Sequence, residues 1–285
     1  MTALALNRVC NLEDFEDPGL REVLREVFEH ELGYRPDLPR GRELRKYWEV
    51  GMTVAAMRAG GALRPDAEVL GLGAGADPTQ FFLTSHVRRV FATDLYLTPG
   101  IWAHQAPAEM LSRPFLFWRG EWEPRRLVVQ HMDARELHYD DESFDAVFSS
   151  GSIEHFGDWA DVEAAVAEAH RVLKPDGVLA LSTEFRLEGP AGGMPGTLTF
   201  GPDELERHIA GHGRWSWIGE VDWSVSEETL ATESALAEAG AYVTADSNRY
   251  GGYAPLSVST LPAPHIVVRH GKHLFTSVHL ALRKL

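Results

Sequence analysis

The stretch AEVLGLGAGADPTQFFLTSHVRRVFATDLY, beginning at Ala67, sets Gly71, Gly73 and Gly75 ahead of Asp77-Pro78 and closes its second apolar run on Asp94. A glycine turn lets backbone amides approach a ligand closely, and an ionised carboxylate about twenty residues further on is an acceptor-only group able to take both hydroxyls of a ribose. Gly71, Gly73 and Ala76 satisfy the dinucleotide fingerprint GxGxxG/A, a weak signal when it stands alone. Asp77 changes its reading, because a pyrophosphate seeks the positive end of a helix and a carboxylate there repels it. As an N-cap ahead of Pro78, the same carboxylate satisfies free backbone donors; it can also face an ammonium group, and the two roles are compatible. A second reactive pair, Glu154-His155, lies in SSGSIEHFGDW. A neutral imidazole titrates near working pH and can take a proton from an alcohol; Glu154 is the weaker alternative base. A packed or capping histidine before a helix at Asp158 is the competing reading of His155.

The bulk composition narrows the setting. Of 285 residues, 27 are basic and 42 acidic, a formal charge of −15 that repels a phosphate backbone and argues against a nucleic-acid partner. With 44% apolar residues and no apolar run of the roughly 18 residues a membrane span needs, the chain reads as a water-soluble protein. Its first residues, MTALALNRVCNLEDFEDP, lack a basic leader, so a cytoplasmic location is the expectation. Cys10 is the only cysteine, which excludes an internal disulfide and a cysteine-based metal site. His208 and His212 stand four apart but lack the HExxH context, so no metal is expected.

These groups must be held by a frame. Leu20, Val23, Leu24, Val27 and Phe28 recur at helical spacing after Pro18, and a second helix is expected from about Arg42 to Ala59, stopped by Gly60-Gly61. Strands and helices then alternate: AEVLGL, a helix from Pro78, VRRVFATD, a helix near Gln105, RRLVVQHM, SFDAVFSS, a helix from Asp158 to Leu173, and GVLALSTE. That alternation predicts a parallel sheet with helices on both faces. RLEGPAGGMPGTLTFG, from Arg186, is too rich in glycine and proline for regular structure and is a candidate lid. Two short helices follow, one with Pro202 at its first position and one capped by Ser224 with Glu227; HIVVRHGKHLFTSVHLALRKL ends the chain as an antiparallel hairpin.

A cofactor with an adenosine and a cationic amino acid, but no phosphate, suits the Asp77 turn. Asp94 in FATDLY, Asp133 in QHMDARELHYDDESFD, the strand SFDAVFSSGSIEHF and EAHRVLKPDGVLALSTE, in that order from Ala67 to Glu184, resemble the class I S-adenosylmethionine-dependent methyltransferases. Substrings such as LGLGAGADP and ATDLYLTPG resemble a bacterial branch found beside sugar-assembling enzymes. The resemblance implies an α/β fold with a doubly wound, mostly parallel seven-stranded sheet whose last strand is antiparallel. It implies that Gly71, Gly73 and Gly75 let backbone approach the methionyl and adenosyl parts. Asp94, with Leu95, then takes the ribose hydroxyls, Asp133, with Ala134, takes the adenine amino group, and Ser150 ends the strand beside them. His155 stands where relatives often carry a histidine base. One departure is that the family usually places an acid at the position of Gly71 and a glycine at that of Asp77, so Asp77 is expected to take over contact with the methionyl amine.

The division expected is an N-terminal helical cap over 1–62, a cofactor core over 63–185, an inserted substrate cap over 186–264 and a closing hairpin over 265–285. Tyr47 and Trp48 either fold over the cofactor or belong to the core. Trp215, Trp217 and Trp223 either stack on a sugar or build the core of the cap. The expected reaction is O-methylation of a small molecule or of a sugar or glycoconjugate hydroxyl. An NAD(P)-dependent oxidoreductase using the Gly71 turn, and a non-catalytic cofactor-binding or scaffold protein, are the alternatives from other classes.

Overall fold

A computed structural model gives the fold and describes residues 5–32, 39–41, 43–100, 103, 105–211, 213–235 and 263–285. The chain opens with β1 (Asn7–Val9), α1 (Pro18–Leu32) and α2 (Arg45–Ala59). The alternating part follows as β2 (Glu68–Leu72), α3 (Pro78–Thr84), β3 (Arg89–Asp94), β4 (Leu127–His131), β5 (Phe144–Ser150), α4 (Trp159–Val172) and β6 (Leu173–Glu188). After it come α5 (Pro202–Leu205), β7 (Trp215–Trp217), β8 (Val221–Asp222), α6 (Glu227–Leu230), β9 (Ser234–Ala235), β10 (Val268–His270) and β11 (His273–Lys284).

The sheet order is β4-β3-β2-β5-β6-β11-β1-β8, with β4 to β6 parallel and β11 antiparallel to β6 from Leu274↔Glu188 to Arg283↔Val178. Strand residues alternate between two cores, as a sheet buried on both faces requires. Val69, Ala146, Phe148 and Val178 join α1, α2 and α3 in one cluster, while Leu70, Val147, Leu179 and Leu181 join α4 in the other. The expected helices α1 and α3 and the hairpin at Gly271 are all present.

Three local expectations are corrected. Among the described residues no α-helix forms near Gln105; the β3-to-β4 crossover has 3-10 turns at Ala108–Leu111 and Pro114–Leu116, because Pro107 and Pro114 remove donors a helix needs. The cap of α6 is Ser226, which receives the Thr229 N–H at 3.0 Å, while Ser224 turns its hydroxyl to Asp222. Beyond the seven expected strands, β2 to β6 with the hairpin β10 and β11, the sheet takes in four short pieces, β1, β7, β8 and β9, so it counts eleven strands among the described residues, and β1 precedes the helices. α2 begins at Arg45; Arg42 lies outside the described residues, as do His212 and residues 236–262.

At the opposite edge from the carboxyl ends, Asp145 ties three elements together, accepting from Arg64 (2.5 Å), the Glu68 N–H (2.8 Å) and Lys174 (2.9 Å). Burial pushes its pKa up, but the Glu68 N–H and the two cations outweigh that and hold it below the usual carboxylate range. Asp145→Ala should cost about 1–3 kcal/mol in urea unfolding, since the buried Glu68 N–H loses its acceptor. A depressed folded pKa gives stability above the unfolded pKa that is lost as pH falls through the folded one, so the difference between wild type and variant should shrink in acid.

Candidate active site

β2 and β5 are neighbours whose connections leave in opposite directions, toward β3 and β4 on one side and β6 on the other. Open α/β sheets bind ligands at such a switch point, outside the carboxyl ends of the strands. The loops that end β2 and β5 meet there: Ser152 Oγ donates to the Gly73 carbonyl at 2.7 Å. Gly73 and Gly75 have φ of +59° and +46°, and a Cβ on Gly73 would lie 2.6 Å from Ser152 Cβ. Only glycine therefore keeps this turn against its neighbour without strain.

Asp94, at the tip of β3, receives the Gly75 N–H at 2.8 Å and the Leu95 N–H at 2.6 Å, so it braces the glycine turn directly. Burial raises its pKa, and those two N–H groups partly offset the rise. The Tyr96 hydroxyl donates to the Gly75 carbonyl at 2.8 Å from the other side. Met132 N–H donates to the Asp94 carbonyl at 3.0 Å, which brings Asp133 to the same edge. Asp133 is already engaged: Arg135 binds it through Nε (2.9 Å) and Nη2 (2.6 Å) and bridges to Asp161 at 2.7 Å. The Arg135 hydrogen bonds hold the Asp133 carboxyl below its usual range despite partial burial. Nothing in ELHYDD or its surroundings signals this clamp, because Arg135 lies two residues from Asp133 and reads as a solvent-facing charge.

Asp77 is the N-cap of α3 and accepts from the Thr79 N–H at 2.7 Å. Burial raises its pKa to about 6, against the Thr79 hydrogen bonds. Gly71 lies within β2, and a Cβ there would stand 2.6 Å from the Phe148 ring. The aromatic ring thus occupies the space that an acid at this position would need. Leu95 is half exposed beside Asp94, Ala134 is buried beside Asp133, and Ser150 Oγ stands 3.5 Å from Thr53 Oγ1 of α2.

His155 ends a 3-10 turn, Ile153–His155, that follows β5. Its Nδ1 pairs with the Gly196 carbonyl at 2.9 Å, which assigns the proton to Nδ1 and the lone pair to Nε2. Burial, with Lys46 and Arg45 nearby, lowers its pKa to about 4, so the imidazole is neutral at neutral pH. The glycine-rich segment after β6 packs directly against this turn, Leu198 N–H donating to the Glu154 carbonyl at 2.9 Å. Glu154 is fully buried, receives Thr183 Oγ1 at 2.9 Å, and lies 3.8 Å from His155 Nε2.

A group of buried charges beside it was not legible in the sequence. Arg45 of α2 binds Glu184 at 2.8 Å and Glu49 at 3.3 Å, and Lys46 binds Glu49 at 2.9 Å. Nothing in the run RKYWE announces this, because α2 is packed between α1 and the sheet and hides Arg45 and Glu49, while the Lys46 side chain stays about 33% exposed. Tyr47 and Trp48 belong to the core: Tyr47 lies on Phe28, and the Trp48 indole donates to Asp14 at 2.8 Å. Trp215 is buried, and Trp217 and Trp223 pack edge to face within the second core cluster. His208 stacks on Trp159 and pairs with Glu163 at 2.7 Å. Among the described residues, no three His, Cys, Asp or Glu side chains are grouped to hold a metal, and no helix is long and apolar enough to cross a membrane.

Comparison with known proteins bears on the same stretch. Residues 70–181 match the family model described as "Methyltransferase domain". The 27-O-demethylrifamycin SV methyltransferase of Amycolatopsis mediterranei (strain S699) is 42% identical over 67 residues, which span 24% of this chain and 24% of that protein. The solved structure of the YcgJ protein from Bacillus subtilis is 16% identical, covers 84% of this chain and 98% of its own, and superposes with a TM-score of 0.50, a likeness of fold. An S-adenosylmethionine-dependent methyltransferase from Mesorhizobium loti is 16% identical over 81% of this chain and 96% of its own, with a TM-score of 0.46. Over residues 70–181, less than half of its length, the chain is similar to methyltransferase domains.

Proposed function

We propose that the chain is an S-adenosylmethionine-dependent methyltransferase acting on a hydroxyl oxygen of a small molecule or a sugar or glycoconjugate. The observation that carries this reading is the convergence of the Gly73–Gly75 turn, Asp94 and the Ser152–His155 turn at the sheet's switch point, within the matched domain. The residues fit that cofactor. Asp77 fills the entrance of α3, leaving no free helix terminus for a pyrophosphate and a carboxylate for an ammonium, which weighs against the dinucleotide oxidoreductase. Asp94 takes the ribose diol, Asp133 shares its carboxylate between Arg135 and the adenine amino group, and Leu95 and Ala134 flank them.

When bound, S-adenosylmethionine supplies a methyl on a sulfonium, open to in-line displacement. His155 takes the hydroxyl proton at Nε2, with the Gly196 carbonyl fixing the ring. The name of the rifamycin relative, an O-demethyl substrate's methyltransferase, supports oxygen as the acceptor atom. Residues 1–62 and 186–264, apart from the strands β1, β7, β8 and β9 that they lend to the sheet, are read as caps that shape the acceptor site over the core of 63–185 and the closing 265–285, in a cytoplasmic enzyme. A labelled-methyl screen over sugars, glycoconjugates, lipids and small phenols tests the reading: label on a hydroxyl is expected, and label confined to amines or thiols overturns the choice of oxygen.

Asp77 gives a separate prediction. Asp77→Ala should weaken S-adenosylhomocysteine binding by tenfold or more, as loss of one hydrogen bond to a charged group does, and lower stability by about 1 kcal/mol through the lost cap. Asp77→Asn keeps the cap, so calorimetry on both variants separates the two effects; unchanged affinity in both would remove the ammonium contact.

A further inference from the structure

The buried acids near the glycine turn outnumber their cations, an excess whose role rests on S-adenosylmethionine being the cofactor. From α2, Arg45 and Lys46 face Glu49; Arg45 also reaches Glu184 of β6 at 2.8 Å and Ser277 of β11 at 3.0 Å, and Ser277 Oγ donates to Glu49. From the turn after β5 comes Glu154, and from the start of α3 comes Asp77, whose ionisation responds to Glu49 and Lys46. Four carboxyls thus share two cations. His265, beside Arg45 and Lys46, is lowered to about 4 first by burial and then by those cations, so it adds no charge, and His155 is likewise neutral.

One atom of this group is left over. Glu154 Oε2 receives Thr183 Oγ1, but Oε1 has no hydrogen-bond partner among the described residues, although the side chain is fully buried. Oε1 lies 3.8 Å from His155 Nε2 and 3.5 Å from the point a Cβ of Gly151 would occupy, a point that Lys46 Nζ and Glu49 Oε2 also crowd. The next residue, Ser152, holds the Gly73 carbonyl. An unpaired carboxyl oxygen buried beside a ligand turn is costly unless it is protonated or meets a cation. Burial, then Glu184, pushes Glu154 up to about 8, with Lys46 pulling it down.

We propose that Glu154 reads the sulfonium charge: it holds a proton in the ligand-free protein and gives it to solvent when a positive sulfur is placed beside Oε1. The ionised carboxylate then pairs with the sulfonium, whereas the neutral thioether of S-adenosylhomocysteine leaves the proton in place. During transfer the methyl carbon–sulfur bond breaks as the oxygen–methyl bond forms, and the hydroxyl proton passes to His155 Nε2. As the sulfur loses its charge, that proton moves on to Glu154 Oε1, so charge in the pocket balances before and after the step. Glu154 is thereby a proton store coupled to the cofactor's charge, and it favours substrate cofactor over product.

Titration calorimetry of the whole chain at pH 7, run in phosphate and in Tris, counts the protons released with each ligand. S-adenosylmethionine should release roughly half a proton or more beyond what S-adenosylhomocysteine releases, and the affinity ratio of the two should rise with pH by at most about tenfold per unit. In Glu154→Gln both ligands should bind and the difference should vanish. Equal release by the two ligands, or a difference that survives in the variant, overturns the proposal; failure of both ligands to bind wild type overturns the cofactor reading itself. Should the variant fail to fold, infrared difference spectra of wild type decide: a protonated-carboxyl band lost with S-adenosylmethionine and kept with S-adenosylhomocysteine is expected, and the same band with both contradicts it.

Discussion

His155→Ala should lower turnover by about 10²–10⁴-fold while S-adenosylhomocysteine affinity stays within about twofold, the range expected for loss of a positioned base. The separation follows from place. His155 stands on the turn after β5, and its bonds run to Gly196 of the glycine-rich segment rather than to the Gly73–Asp94 contacts. Two controls sharpen the result. His155→Gln keeps a polar group but no base and should be nearly as slow, and added imidazole should restore part of the rate in the alanine variant alone. Wild-type turnover in His155→Ala, on an acceptor found by the labelled screen, would leave the histidine as packing for the loop it touches.

Asp94→Ala carries the other large effect, on binding. The carboxylate receives the Gly75 and Leu95 N–H groups and is the acceptor offered to the ribose, so the variant loses both the diol contacts and the brace under the turn. Two charge-assisted hydrogen bonds at about 1.5 kcal/mol each correspond to roughly a hundredfold loss in affinity for S-adenosylhomocysteine. Asp94→Asn retains one carbonyl acceptor and should fall between. The wild-type affinity should also decline in acid, because a protonated Asp94 no longer offers two anionic acceptors. Burial raises this carboxyl's pKa, so the decline should set in at less acidic pH than an exposed aspartate would give.

The parts of the molecule that were legible in sequence are those in which local chemistry decides the outcome. The apolar runs of β2, β3, β5 and β6 are buried on both faces and read as strands without help, and Gly73, Gly75 and Asp94 stand where turn geometry and strand polarity require them. The hairpin of β10 and β11 is announced by His270-Gly271-Lys272. Contacts remote in sequence were hidden. β1 is three residues long and exists because β11 offers it an edge, pairing Arg8 with His279. Arg45, Glu49 and Glu184 look solvent-exposed until α2 is laid on the sheet. Arg135 on Asp133 and the Gly196 carbonyl on His155 depend on loops whose path composition does not reveal. The 3-10 crossover near Gln105 replaced an expected helix because prolines, not apolar spacing, set its backbone.

Calorimetric titration of the whole chain with S-adenosylhomocysteine, set beside the same titration with NADH, tests the account most directly. One equivalent of S-adenosylhomocysteine should bind, NADH should give no heat of binding, and Asp94→Ala should lose most of the affinity without unfolding. Binding of NADH in place of S-adenosylhomocysteine, or an Asp94→Ala variant that binds as wild type does, would contradict it.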